Sequence, residues 1–358
     1  MKKLVLGTLL MAGMLCHGPA AAAAVDYKIV TASERGTYIK IGRDLAQFVA
    51  PSADIKLDAL PSAGSAENVR LLRYEPGVKL ALVQSDVYQS FLDIAAGGNA
   101  AARDMIAPLR VIMPLYNEEI YFIARADSEF NFIHEIKNAK INAGESGSGT
   151  ALTSATLYRL MFGEAMPDAS ASYLSNEEAL ARLVTDKTLD VVAVVAGQPA
   201  KLLVDMKPES RKLIKLLKFD PGHSSSKAVL KTYFQASVRA SNYPNLLTED
   251  IAGLAVKAFL VTYDFQLKDT ESHLRGMARS LCQNFSVLQE KGHPKWREVE
   301  LALPDLGRGW FYYGPTTREL RSCIAGEPAR KRVVRRVKPS PPPAKECPQQ
   351  ERILGLCK

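Results

Sequence analysis

The chain has 358 residues, of which 47% are hydrophobic and 23% charged, ordinary globular proportions that exclude wholesale disorder, a collagen-like repeat and a long coiled coil. The formal charge of +8 does not make a nucleic-acid binder. Lys2 and Lys3 contribute two of those charges, and nine bases against three acids from residue 325 onward contribute the other six, so residues 25–324 are formally neutral.

Lys2 and Lys3 precede the apolar run Leu4 to Leu15, which is followed by Pro19 and the alanines Ala20 to Ala24; this reads as an export signal over residues 1–24. The run is shorter than the roughly 20 apolar residues that cross a bilayer. Gly13-Met14-Leu15-Cys16 lacks the small residues expected before a lipidated cysteine. The mature chain is expected to be exported, soluble and periplasmic.

Strands and helices then alternate. Tyr27 to Thr31 reads as a strand, and Ile41, Leu45, Phe48 and Val49 fall on one face of a following helix. Ile55 to Leu60 leads to a helix through Val69 and Leu72, and Leu80 to Val83 to a helix through Val87 and Phe91; Val111 to Tyr116 closes the series. Repeated strand–helix units predict a parallel sheet covered on both faces. A second series starts at Ile120 to Ala124. It continues through Lys140 to Ala143, a helix through Leu152, Leu157, Leu160 and Met161, the segment Ala171 to Tyr173, a helix around Leu180 and Leu183, and the strand Leu189 to Val195. From about Thr248 the spacing of Ile251, Leu254, Ala255, Ala258 and Phe259 predicts a helix, with further helices toward Leu288. Residues 326–358 combine a basic run with Ser340-Pro341-Pro342-Pro343 and read as an extended tail.

Beyond the signal there are four cysteines, Cys282, Cys323, Cys347 and Cys357. An even count in an exported chain predicts disulfides with three possible connectivities; nearest-neighbour pairing would join Cys282 to Cys323 and Cys347 to Cys357. No spacing suits a metal site, and no motif calls for a cofactor.

In an open α/β sheet, ligands bind beyond the carboxyl ends of the strands, where helix N-termini present N–H groups and partial positive charge. Four junctions here are rich in glycine and hydroxyls. Ser33-Glu34-Arg35-Gly36-Thr37-Tyr38 offers Thr37 as a helix cap and Tyr38 as a ring and hydroxyl; a capped helix with a buried tyrosine is the simpler alternative. In Pro61 to Asn68, Ser65 and Asn68 share a helical face, which an ordinary capped helix also explains. Gly144-Glu145-Ser146-Gly147-Ser148-Gly149-Thr150 has the outer glycines of a phosphate loop, but Thr150 stands where that loop needs lysine. Nor is it a hydrolase elbow, so a backbone nest for an anion is the economical functional reading. Ala196-Gly197-Gln198-Pro199 follows an apolar strand, with Pro199 placed in a first helical turn. Gln84-Ser85-Asp86 closes the third strand, Asp86 being a candidate cap.

Together these motifs resemble the TAXI class of solute-binding proteins that serve TRAP (tripartite ATP-independent periplasmic) transporters. The matching pieces are Gly36-Thr37-Tyr38 with Ile41-Gly42, Pro61 to Asn68 with Leu71-Leu72, Leu80 to Asp86, Gly144 to Thr150, and Asp190 with Gly197-Gln198-Pro199. The resemblance spans roughly residues 26–325. It implies a type II periplasmic-binding fold, two α/β lobes joined by hinge strands, closing over a small organic anion, an amino acid or dicarboxylate, that is handed to the membrane permease subunits. It divides the chain into a first lobe at 25–120, a second at 121–235, and a return to the first with C-terminal helices at 236–325. By position it implies ligand contacts at Thr37, Tyr38, Ser65, Asn68, Gln84, Ser148, Thr150 and Gln198; Arg35 joins them on chemical grounds as a carboxylate clamp.

Two other functions compete. An enzyme would need a nucleophile with a base, a carboxylate pair or a metal cluster, and the sequence offers none of these. A ligand-sensing or envelope interaction protein would use the same fold without a permease, its basic tail docking on anionic surfaces.

Overall fold

The computed structural model describes residues 24–326 apart from Arg35, Asn245 and Arg308. The export signal and the basic tail, with Cys347 and Cys357, therefore fall outside the described residues but for Ala24 and Gly326.

Ten strands form one sheet: β1 (Val25–Val30), β2 (Ile55–Leu60), β3 (Val78–Gln84), β4 (Leu109–Arg125), β5 (Ile141–Asn142), β6 (Ala171–Ser172), β7 (Val191–Ala196), β8 (Ile214–Leu216), β9 (Phe234–Val238) and β10 (Ile251–Tyr263). Their order is β2-β1-β3-β10-β4-β7-β5-β6, with β8 against β4 and β9 against β10. β1, β2 and β3 run parallel, as do β5, β6 and β7, and each parallel set is reached through crossover helices. β4 and β10 are the two long strands, and they run antiparallel to each other from Leu109 opposite Tyr263 to Ile120 opposite Leu254. At one end β10 pairs with β3; at the other it pairs with β9, while β4 continues into pairing with β7 and β8. The molecule is therefore two α/β lobes joined by two continuous strands.

Four apolar cores sit where this topology requires them, one on each face of each lobe. The helix Lys268–Gln283 shows how sequence produces such packing. Leu274, Met277, Ala278 and Leu281 recur at the i, i+3, i+4, i+7 spacing of one helical face and all are buried against the first lobe. A disulfide between Cys282 and Cys323 ties this helix to the helix Gly314–Ile324, with Cα atoms 6.5 Å apart, the nearest-neighbour pairing expected.

Three expectations need correction. The segment from Ile251 is not helical but β10, buried along almost its whole length. A central strand covered on both faces is apolar throughout, so its residues also satisfy a helical spacing. The two strands expected at Val111 to Tyr116 and Ile120 to Ala124 are one strand, β4. And Val238, Tyr243 and Ile251 pack in the same core as Tyr121 and Val192, so the return to the first lobe expected at 236 comes within β10.

Candidate functional site

Where β4 and β10 pass between lobes, the loops at the strand ends surround a cleft of about 1390 Å³. Thr37, Tyr38, Ser65 and Gln84 line it from the first lobe; Ser148, Thr150 and Gln198 line it from the second. Arg35 lies outside the described residues. Asn68 does not reach the cleft. It is fully buried, its amide donates to the carbonyls of Thr31 and Leu82, and its oxygen accepts from Ser62 Oγ, so it fastens the end of β1 and β3 itself to the loop before its own helix.

Three helices begin at the cleft: Thr37–Asp44, Ser65–Tyr74 and Gly149–Phe162. Gly36 and Gly64 hold the N-cap positions of the first two and supply no side-chain cap; in the second of these helices the Glu67 N–H donates instead to the Gly147 carbonyl at 3.3 Å. Thr37, expected as a cap, is instead the first helical residue. In the third helix Ser148 Oγ accepts from the Ala151 N–H at 3.0 Å. Thr150 Oγ1 accepts from Val195 N–H at 3.3 Å, tying the glycine-rich loop to β7. Pro199, expected in a first helical turn, instead precedes the helix Lys201–Val204 and follows a cis peptide bond.

The lobes touch along one wall. Ser65 Oγ accepts from the Gln84 N–H at 3.0 Å, and Gln84 Oε1 lies so close to Gly149 that a Cβ there would sit 1.9 Å away. Glycine at 149 is thus what lets the second lobe approach. Asp86 occupies an N-cap position but does not cap. Its Oδ2 accepts from Thr153 Oγ1 at 2.7 Å and from the Tyr233 hydroxyl at 2.9 Å, both across the junction, while Oδ1 is buried without a partner. Burial pushes the Asp86 carboxyl up to about 6, although the two hydroxyls pull the other way.

The floor carries residues that no motif indicated. Glu118 and Glu119 lie on β4 where it crosses between the lobes, each 6% exposed, and of the two only Glu118 lines the cleft. Glu118 Oε2 accepts from the Tyr38 hydroxyl at 2.7 Å. Burial pushes Glu118 up to about 7, only partly offset by that hydrogen bond and by the positive charge of Lys295. Tyr38 is held well above its ordinary value by burial and then by the Glu118 charge. Glu119, raised by burial, accepts from the backbone N–H and side-chain amide of Gln198 at 2.8 and 2.9 Å. Gln198 also donates to the Ser237 carbonyl and accepts from the Arg239 N–H and from Asn242, so it braces the hinge rather than offering free valences. Lys295, 6% exposed, reaches the cleft from the 3₁₀ turn Pro294–Glu298 and pairs with Glu298 at 2.6 Å. It fits because Gly197 has no side chain; a Cβ there would fall 2.5 Å from Lys295 Cε. The two acids were visible as a polar break, Asn117-Glu118-Glu119, in a run that is otherwise apolar. Lys295 carried no local signal, because only the tertiary fold brings it to the hinge.

A parallel set in each lobe, two long crossing strands and a cleft at the strand ends define a periplasmic-binding architecture of type II. Residues 29–305 match the model of the NMT1-like family, and the chain belongs to that family. Solved structures similar to it include the periplasmic binding protein BugD (14% identity, 84% of this chain and 94% of that one, TM-score 0.46). Also similar is the alkanesulfonate-binding protein SsuA from Xanthomonas axonopodis pv. citri bound to MOPS (14%, 86% and 82%, 0.42). A third is PhnD1 from Prochlorococcus marinus in complex with methylphosphonate (13%, 76% and 88%, 0.45).

Proposed function

We propose that this chain is the exported, periplasmic solute-binding subunit of a TRAP-type secondary transporter of the TAXI class. In this reading it captures a small organic anion, an amino acid or dicarboxylate, and presents it to membrane permease subunits. The observation that carries the reading is the meeting of three helix N-termini, two of them without side-chain caps, on one cleft between lobes. The partial positive charge of these N-termini favours a bound carboxylate. Lys295 adds a cation at the same cleft, and Glu118, with its carboxyl at about 7, can keep a proton beside a bound anion. No helix among the described residues is long and apolar enough to cross a membrane, which suits a subunit that works beside the permease.

The test is ligand-induced stabilisation of the mature protein. At 100 times its dissociation constant a ligand adds about 2.7 kcal/mol to folding stability. Glutamate and succinate are expected to raise the melting temperature and glucose is not; Ser148→Leu, which fills the nest at the third helix, is expected to abolish the shift. Failure of every carboxylate to stabilise the protein would overturn the reading.

A further inference from the structure

The cleft is larger than the proposed ligands need. At about 1390 Å³ it exceeds the roughly 300–1,000 Å³ typical of a site for a drug-sized molecule, and an amino acid or a four-carbon dicarboxylate is far smaller than that. The surplus space is not distributed evenly. From Thr150 and Ala196 the same cavity continues over the second lobe, between the helix Asn176–Ala181 with its extension Arg182–Asp186 on one side and the helix Lys201–Val204 on the other. Its walls there are Leu180, Val184, Leu202 and Met206, and its base is Val194 of β7 and Ile214 of β8. The base residues are each 4% exposed, whereas the four wall residues are only half-buried: they pack on the core below and turn their remaining surface to the cavity.

The chemistry therefore changes along one continuous space. The N-termini of the three helices and the Lys295 ammonium lie at one end; at the other, aliphatic side chains form the base and part of the walls, with Asn176, Thr185, Lys201, Asp205 and Ser210 also lining it. The basic side chain lining that far end, Lys201, is already paired with Asp205, so a second carboxylate placed there would find no unpaired cation. Apolar wall left open to water costs free energy that an alkyl chain recovers, roughly 0.8 kcal/mol per buried methylene.

We propose that the cleft has a second compartment, an aliphatic pouch between these helices, and that it takes the hydrocarbon tail of an amphipathic monocarboxylate whose head lies at the helix N-termini. This rests on the reading of the cleft as a carboxylate site and narrows it from any small organic anion to one with an unbranched or lightly branched tail.

The experiment is titration calorimetry of the mature protein with acetate, butyrate, hexanoate and octanoate, with succinate and octylamine as further arms. Affinity is expected to rise roughly fourfold per methylene from butyrate to octanoate, and succinate is expected to bind more weakly than hexanoate. Val184→Asp, at a half-buried wall position, should erase the gain with chain length while leaving acetate affinity unchanged. Met206→Trp, which fills the pouch with an apolar group, should do the same and serves if the aspartate variant melts early. Equal affinities across the carboxylate series would overturn the pouch and leave the carboxylate site standing. Octylamine binding in preference to octanoate would support the pouch and overturn the anion reading, and absence of binding by either class would overturn both.

Discussion

A carboxyl group held near 7 inside a hinge is an expense that the folded protein carries at neutral pH. Glu118 lies above its ordinary 4.5 because burial disfavours the charged form. The sign follows directly. The protonated form is favoured on folding, so the stability present below about pH 4.5 is lost as pH rises through about 7, a difference on the order of 3 kcal/mol. Glu118→Gln keeps an oxygen to accept from Tyr38 and cannot ionise. It should match the unsubstituted protein in urea unfolding at pH 4.5 and exceed it at pH 8; equal midpoints at pH 8 would mean the carboxyl is not desolvated. Gly149 makes a different demand. A methyl group there would overlap Gln84 Oε1, so Gly149→Ala should displace the second lobe and weaken glutamate binding more than tenfold, with about 1–3 kcal/mol of stability lost to overpacking. These two positions also differ in how far the sequence exposed them. The glycine-rich loop was evident as a motif, whereas Glu118 was evident only as an acid in an apolar run. Its role depends on Tyr38, 80 residues away in the chain. Asn68 illustrates the converse: its helical face was read correctly, but the carbonyls of Thr31, just past β1, and of Leu82 in β3 occupy its amide and leave nothing for a ligand.

At the level of elements, the strand–helix alternation was legible through β3 and from β5 to β7, because half of each crossover helix is polar and its period shows. β10 was not legible. Its pattern is set by having a lobe face on both sides, and Leu254, Ala255, Ala258 and Phe259 satisfy the spacing of a helix and the run of a central strand equally well. The element after it, the helix Lys268–Gln283, has one solvated face and falls within the stretch expected only in general terms to hold further helices toward Leu288. That helix and the helix Gly314–Ile324 are joined by the Cys282–Cys323 disulfide across a sequence separation of 41. Closing a loop of that length restricts the unfolded chain by about 4 kcal/mol in the chain-entropy model. Reduction, or the double substitution Cys282→Ser and Cys323→Ser, should therefore lower the urea midpoint markedly without changing ligand affinity, since neither residue lines the cleft. An affinity that falls in parallel would show that these helices position the Pro294–Glu298 turn that carries Lys295.

On the scale of the whole molecule, opening the cleft must break the wall along which the lobes meet, and magnitudes identify the contact that holds it. The Asp93–Arg159 ion pair spans the junction between the helices Val87–Ala96 and Gly149–Phe162, but both side chains are partly exposed, and such pairs contribute roughly 0–1 kcal/mol. Ser90 and Thr156 add a buried hydroxyl pair at 2.7 Å, with a net contribution of about 1 kcal/mol. Asp86 contributes more. Each hydroxyl donated to a buried carboxylate contributes roughly 1.5–3 kcal/mol, and it receives two, from Thr153 and Tyr233. The junction is therefore held chiefly at Asp86, and losing its two hydrogen bonds is the step that limits opening, with β4 and β10 flexing where they pass between the lobes. Thr153→Val preserves shape and removes one donor, so it should weaken glutamate affinity by tenfold or more and increase the radius of gyration of the unliganded protein in solution scattering. Asp93→Asn should leave affinity within about threefold. If the two substitutions had equal effects, the latch would lie in the helix-to-helix contact and not in the carboxylate at the end of β3.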